Sequence, residues 1–332
     1  MTRPKISVLI PTKNRKDSLK KVLDSLQKQT FKNFEVVIAD GHSTDGALEM
    51  ISQFSKKMPI RVVDGEGGLV VAMNNAWRKA TGVIVIRTDD DIIATPDWLK
   101  SVWETFAHDK MIGGVTGPTI IPRENLKARD IFLAQEKFRS GNFIWRLLGK
   151  IYYDFFMEGQ PYRVSHWFAC GAFSLGSNYK ECLKIKKPIE VDNLEACNFS
   201  VRRALLVKVG GFDPMFTGVG EYHEPDVAFK IQKLGYKLIF NPKAQIFHCP
   251  VQTGIYKARP KAFGRAQNFI NFYFRHMRPN NFDKWLRFTF YLLFLNLFWG
   301  YKFFQTKKIG QLGCFVATPI TLIKNIFRET RY

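Results

Sequence analysis

Cysteine is scarce in this chain of 332 residues: the five present, Cys170, Cys182, Cys197, Cys249 and Cys314, are odd in number and form no CxxC pair. That spacing excludes a zinc ribbon and a disulfide framework, and it makes a reducing compartment the default expectation. Several phosphate- and ester-handling signatures are also missing. There is no GxGxxG after the first apolar run, no GxxxxGK[ST], no GxSxG and no HExxH, which argues against a dinucleotide dehydrogenase, a P-loop enzyme, an α/β-hydrolase and a zinc peptidase. No 20-residue charge-free run occurs, so no segment reads as an unambiguous membrane span. Acidic residues are few, 29 against 50 Lys and Arg, leaving a net charge of +21. With 46% hydrophobic and 24% charged residues, the chain has ample material for a large core, and disorder is excluded.

What is present begins with alternation. Apolar runs at 6–10, 34–39, 60–63 and 83–86 read as strands, and 18–29, 45–56 and 70–80 read as helices with apolar residues at helical spacing. This is the pattern of a mostly parallel α/β sheet. Pro11 to Arg15, Asp40 and the run Asp89, Asp90, Asp91 all follow strands. Ligands gather at such carboxyl ends in open α/β sheets, so three loops point to one site. Further along, 98–108 reads as a helix, 131–153 as one long helix and 167–175 as a strand. From 193 onward the reading is strand 197–201, helix 204–209, helix 225–234 and strands 236–240 and 245–248.

Three adjacent carboxylates repel one another unless a cation neutralises them, and a divalent metal bridging a diphosphate would do so. A solvated acidic turn capping the next helix accounts for the same residues. His248, at a strand end, could complete such a site, since imidazole and carboxylate together suit Mn²⁺ or Mg²⁺. Glu221, His223, Glu224 and Asp226 crowd the segment before a helix. They read either as an elaborate N-terminal cap or as a general base presented at a helix start.

Several ordered motifs across roughly 5–250 resemble the family 2 glycosyltransferases of the GT-A fold. The segment from Val8 through Pro11-Thr12-Lys13-Asn14-Arg15 resembles the opening strand and nucleotide-binding turn of that family. Ala39-Asp40-Gly41-His42-Ser43-Thr44-Asp45-Gly46 resembles its second motif, and Asp89-Asp90-Asp91 followed by Pro96-Asp97-Trp98-Leu99 resembles its DXD segment. Cys197-Asn198-Phe199-Ser200 with Gly210-Gly211-Phe212-Asp213 resembles the acceptor-side strand and turn, and Glu224-Pro225-Asp226 resembles the "ED" motif. The resemblance implies a nucleotide-diphospho-sugar transferase fold in 1–250, with 1–118 as the nucleotide-sugar half and 119–250 as the acceptor half. It implies that Pro11, Thr12, Asn14, Arg15, Asp40, Asn74, Asp89 and Asp90 face the donor. Asp91, His248 and Asp89 would hold Mn²⁺ or Mg²⁺, and Glu224 would be the base of an inverting transfer from a UDP- or GDP-sugar, UDP favoured. One departure is Ala72-Met73-Asn74, where the family often has Ala-Arg-Asn; Arg15, Arg87 or Lys13 could supply the missing charge.

Residues 251–332 differ in kind. They hold 14 Lys or Arg against Asp283 and Glu329, so +12 of the +21 lies there, beside charge-free runs of 14 residues (288–301) and 15 residues (309–323). Basic residues from 284 to 331 punctuate both runs. The expectation is a helical extension lying on an anionic membrane surface, peripheral or monotopic, with the catalytic part on the cytoplasmic side and a lipid-linked or other glycan as acceptor. A hairpin packed on the catalytic domain, or an oligomer interface, is the alternative. The basic residues accompany aliphatic runs instead of a recognition motif, so nucleic acid is not expected. A polyprenyl-phosphate sugar synthase and a catalytically silent membrane scaffold are the alternative functions.

Overall fold

The structure is a computed structural model and describes residues 4–128, 130–218, 221–250 and 262–327. The first half alternates as the sequence predicts. Strand β1 (Ile6–Thr12) leads to helix α1 (Lys16–Gln27), β2 (Phe34–Asp40) to α2 (Ala47–Ser55), and β3 (Ile60–Asp64) to α3 (Leu69–Lys79). Then follow β4 (Ile84–Arg87), β5 (Ile92–Ala94), α4 (Trp98–His108), β6 (Ile112–Thr116) and β7 (Thr119–Ile120). Every residue of β1 and β2 is buried, as expected of central strands covered on both faces. Helix α1 buries Leu19, Val22, Leu23 and Leu26 on one face, the positions its 3.6-residue period selects.

The second half supplies α5 (Asp130–Ser140), α6 (Phe143–Ile151), β8 (Ile189–Val191), β9 (Phe199–Arg202), α7 (Arg203–Lys208), α8 (His223–Lys233), β10 (Lys237–Phe240) and β11 (Ile246–His248). Helices α9 (Ala262–His276), α10 (Phe282–Thr306) and α11 (Gly313–Ile326) close the chain. The main sheet has eight strands in the order β3-β2-β1-β4-β9-β6-β10-β8, parallel from β3 to β4, with β9 inserted antiparallel between β4 and β6. A small second sheet, β5-β11-β7, stands beside it.

Two segments differ from the sequence reading. The helix expected over 131–153 is two helices, because Gly141 lies against the Lys137 carbonyl and the Asn142 side chain accepts from Trp145 N, starting a new helix. The strand expected over 167–175 is a tight turn with a single bridge between Trp167 and Phe173; Gly171, at φ +87°, reverses the chain before a strand can extend.

The C-terminal helices do two different things. Helix α9 is part of the body: Phe272 joins the core built on β4, β9 and α8, while Phe269, Ile270 and Tyr273 pack with Tyr152, Phe156 and Phe288. Helix α10 instead leaves Phe282, Phe290, Leu293, Leu297 and Phe304 exposed, and α11 leaves Val316, Ile320 and Ile323 exposed.

Candidate active site

The site forms where β1, β2, β4 and β9 meet, at the carboxyl ends of the parallel strands. Register explains its composition. Strand β4 pairs antiparallel with β9, Arg87 opposite Phe199; continuing that register beyond both strands sets Asp89 opposite Cys197. The Thr88 hydroxyl, donating to the Cys197 carbonyl at 2.7 Å, holds the two chains together there. In the small sheet His248 pairs with Ile92, and Cys249 N donates to the Asp91 carbonyl at 2.8 Å. Thus β11 delivers the imidazole to the acidic turn.

Each carboxylate of the run has its own role. Asp90 accepts from the Thr12 hydroxyl at 2.8 Å and pairs with Arg15 at 2.7 Å. Burial, relieved in part by Arg15, pushes its carboxyl up to about 7. Asp91 gives one oxygen to Arg15 at 2.7 Å and turns the other, Oδ1, toward His248 Nε2 at 3.3 Å. That Oδ1 is buried and accepts no well-aligned hydrogen bond. Against the cost of burial, His248 and Arg15 hold the Asp91 carboxyl well below the usual range. Asp89 is the more open of the three; one oxygen pairs with Arg87 at 2.8 Å and the other lies 3.9 Å from His248 Nε2.

Arg87 is the central cation. It donates to the Ala196 carbonyl at 2.8 Å, pairs with Asp89, and places Nε 3.1 Å from Glu224 Oε1 as an ion pair without hydrogen-bond alignment. Although burial opposes its charge, Asp89 and Glu224 raise its pKa further. Glu224, 4% exposed, also meets His223 Nδ1 at 2.9 Å. Burial would raise its pKa, but the charges of His223 and Arg87 outweigh that cost and hold the carboxyl down at about 2. Helix α8, which presents Glu224, is entered through Tyr222 in the left-handed region at φ +77°.

Asp226, two residues further into α8, is fully buried and faces away from Arg87's cluster toward α9. It pairs with Arg275 at 2.9 Å, His276 at 2.8 Å and Lys230 at 2.6 Å. Arg275 also pairs with Asp213 at 2.7 Å.

The nucleoside-facing candidates divide. Asp40 accepts from Ser43 N at 2.9 Å and keeps a buried Oδ1 without a hydrogen-bond partner. Asn14, at φ +52°, accepts from Thr44 N at 2.7 Å and thereby ties the β1 turn to the β2 turn. Pro11 lies within β1 opposite Ala39. Gly65, just after β3, lets that loop close on the end of β2, because a Cβ there would stand 2.7 Å from the Ala39 carbonyl group. Asn74 differs from its expected place at the donor. Its amide oxygen accepts from Trp77 Nε1 and Phe212 N, and its amide nitrogen donates to the Phe212 carbonyl, so it buttresses the turn at Gly211 and Phe212. The sequence reading missed Cys197, which it set aside for lacking a CxxC partner. No signal along the chain marked it: Cys197 lies just ahead of β9, and only the pairing of β9 with β4 sets it beside the acidic turn.

The donor set fits a divalent cation. Ligand atoms of Asp89, Cys197 and His248 all lie within 4.8 Å of one another, and the orphaned Asp91 Oδ1 faces the same imidazole.

Comparison with known proteins agrees with this geometry. The family described as glycosyl transferase family 2 matches residues 7–176, slightly more than half of the chain. An uncharacterized glycosyltransferase of Bacillus subtilis, YfnE, is 38% identical over 97 residues, covering 28% of this chain and 24% of that protein. A PGL/p-HBAD biosynthesis glycosyltransferase of Mycobacterium tuberculosis is 31% identical over 131 residues, covering 38% and 51%. The chain thus spans about half or less of the curated relatives it matches. Among solved structures, a mannosyltransferase of Pyrobaculum calidifontis, in complex with GDP-Man and Mn²⁺, is similar with a TM-score of 0.55 at 18% identity, covering 99% of this chain and 89% of that one. This likeness shows a shared GT-A fold. By family match, sheet order and the acidic turn after β4, the chain belongs to glycosyl transferase family 2.

Proposed function

We propose that this protein transfers a sugar, with inversion, from a nucleoside-diphosphate sugar to a hydroxyl of a lipid-linked or similar glycan at a membrane surface. Arg87 carries the reading. By pairing with both Asp89 and Glu224 it fixes the acidic turn and the start of α8 around one point, so a leaving diphosphate and an attacking hydroxyl would be handled side by side. Asp40 Oδ1 is available to a nucleobase donor group, and Thr12 and Arg15 hold Asp90 and Asp91 in place. Asp89, Asp91 and His248 would hold Mn²⁺ or Mg²⁺, which when bound neutralises charge developing on the leaving diphosphate. Glu224 is ionised throughout the physiological range and accepts the acceptor proton at a carboxylate oxygen.

One observation favours a second reading. The ion pairs of Glu224 with Arg87 and His223 lower its basicity, which suits an acceptor that is already ionised, such as a polyprenyl phosphate.

Glu224→Gln separates the two readings. With UDP- and GDP-sugar panels, Mn²⁺ and membrane lipid extract, the hydroxyl reading expects transfer to fall about 10²- to 10⁴-fold with unchanged nucleotide binding. It also expects a product with a new glycosidic bond. Near wild-type turnover, with an acid-labile sugar phosphodiester as product, would establish the second reading instead.

A further inference from the structure

We propose that Cys197 is a sulfur donor to the cation site, making it a mixed sulfur, nitrogen and oxygen site that binds thiophilic metals such as Zn²⁺ or Co²⁺. The inference extends the cation site of the proposed function, but its test does not depend on sugar transfer.

The argument begins with strand register. The β4–β9 ladder carries Cys197 to the level of Asp89, the Thr88 hydroxyl pins that alignment, and the β5–β11 pairing brings His248 to both. Two strand pairings and one side-chain hydrogen bond therefore converge on one sulfur, one imidazole and one carboxylate, whose ligand atoms lie within 4.8 Å of each other. Tetrahedral Zn²⁺, with Zn–S of about 2.3 Å and Zn–N of about 2.0 Å, needs its donors somewhat closer than this. An Asp89 oxygen already lies 3.9 Å from His248 Nε2, so the contraction would come from rotation of the Cys197 and Asp89 side chains, Asp89 being 25% exposed. The same exposure leaves a fourth position open, the arrangement that separates a reactive zinc site from a closed structural one. Asp91 Oδ1, buried and unsatisfied 3.3 Å from the imidazole, is a further oxygen aimed at this place.

Softness sets the consequence. Carboxylate and imidazole alone suit Mn²⁺ or Mg²⁺, whereas adding a thiolate shifts preference toward Zn²⁺ and Co²⁺. Binding displaces the thiol proton to solvent. A thiophilic metal would then occupy the carboxylate and imidazole that Mn²⁺ needs, so Zn²⁺ and Mn²⁺ compete for one position.

The experiment uses the full chain, stripped with chelator and titrated with Co²⁺ in the absence of nucleotide. A near-ultraviolet sulfur-to-cobalt charge-transfer band is expected to saturate at one equivalent in the wild type. It should persist in C249S, whose half-buried thiol follows His248, and vanish in C197S. Mn²⁺ binding, read by paramagnetic resonance, should survive in C197S at wild-type affinity, while Zn²⁺ affinity falls about 10- to 100-fold. C197A serves if the serine variant does not fold. Cobalt binding without the band, or a band that survives in C197S, overturns the assignment. Mn²⁺-dependent transfer alongside such a result would leave the proposed function standing and remove only the sulfur ligand.

Discussion

The sheet-built body and the C-terminal helices treat burial in opposite ways. In the body, Arg87, Asp90, Asp91, Glu224 and Asp226 are all at most 5% exposed, and each is matched by an opposite charge. Along α10 and α11 it is apolar bulk that faces outward: Phe282 and Phe304 of α10, and Phe327 just past the end of α11, are each at least 70% exposed. Buried charge survives folding only when paired, because desolvating an unpaired ion costs several kcal/mol. Exposed apolar surface on this scale marks a face built to meet something else. Helix α9 is the seam. Its Arg275 neutralises Asp226 in the body while its His276 shares a hydrogen bond with the same carboxylate, and its Phe269 and Tyr273 form the floor on which α10 lies.

The strongest test of that seam removes its charge. Asp226→Asn leaves Arg275, His276 and Lys230 without their shared anion, and breaking a buried pair in this way costs about 3–5 kcal/mol. Chemical unfolding should show that loss, and amide exchange should show α8 and α9 losing protection together. Loosening of α9 alone, at unchanged global stability, would mean that the two regions are separately folded layers and that the seam is only a contact.

Much of this was legible in sequence. The strands up to Arg87 were readable because their apolar runs sit between turn residues, and the site's three loops because charge at a strand end is conspicuous. The helix 98–108 was readable to the residue. The extended reading of 167–175 failed because aromatic residues favour strands in general, yet here they fold around Gly171 onto Phe269 and Tyr273 of α9, some hundred residues away. Cys197 was invisible for the same reason. Its neighbours Asp89 and His248 are supplied by strand pairing, which spacing along the chain does not encode. The role of Asp226 was hidden too, because two of its three partners, Arg275 and His276, lie on α9, beyond residues 251–261, in a stretch that composition assigned to the membrane.

A smaller effect sharpens the rule that buried charge needs a partner of opposite sign. Glu195 is buried, and among the described residues its carboxyl is stabilised by the hydroxyls of Ser165 and Ser177 and not by a cation. Burial pushes its carboxyl up to about 7, the serines relieving only part of the cost. Between the ordinary glutamate range near 4.5 and that value, the folded protein holds a proton that the unfolded chain has released. Its stability therefore falls as pH rises across this window and levels off above it. The full contribution is about 3 kcal/mol. Glu195→Gln should remove this slope and make the protein more stable than wild type at pH 8. Parallel pH profiles for the two proteins would mean that Glu195 is ionised at neutral pH after all.

The outward-facing half of the comparison rests on what its apolar surface meets. Helix α6 extends that surface: Phe143, Ile144, Leu147 and Ile151 are exposed along one strip, and Trp145 packs against Tyr301 of α10 at a ring separation of 6.0 Å. Arg146 and Lys150, both exposed, fall at the edge of the strip by helical spacing. One helical stretch among the described residues, Ile309–Ile326, is long and apolar enough to cross a membrane. On the membrane-surface reading proposed above, a footprint shared by α6, α10 and α11 would lie in the headgroup layer, with basic side chains at the lipid phosphates. Each such residue near an anionic surface contributes about 1 kcal/mol. Arg146→Ala or Lys150→Ala should therefore weaken partitioning onto anionic vesicles about fivefold. That loss should shrink in high salt and disappear on neutral vesicles, with transfer to a water-soluble acceptor unaffected. Partitioning that ignores both charges would place the footprint away from α6, because a basic residue bordering an inserted apolar strip lies within a Debye length of the phosphates.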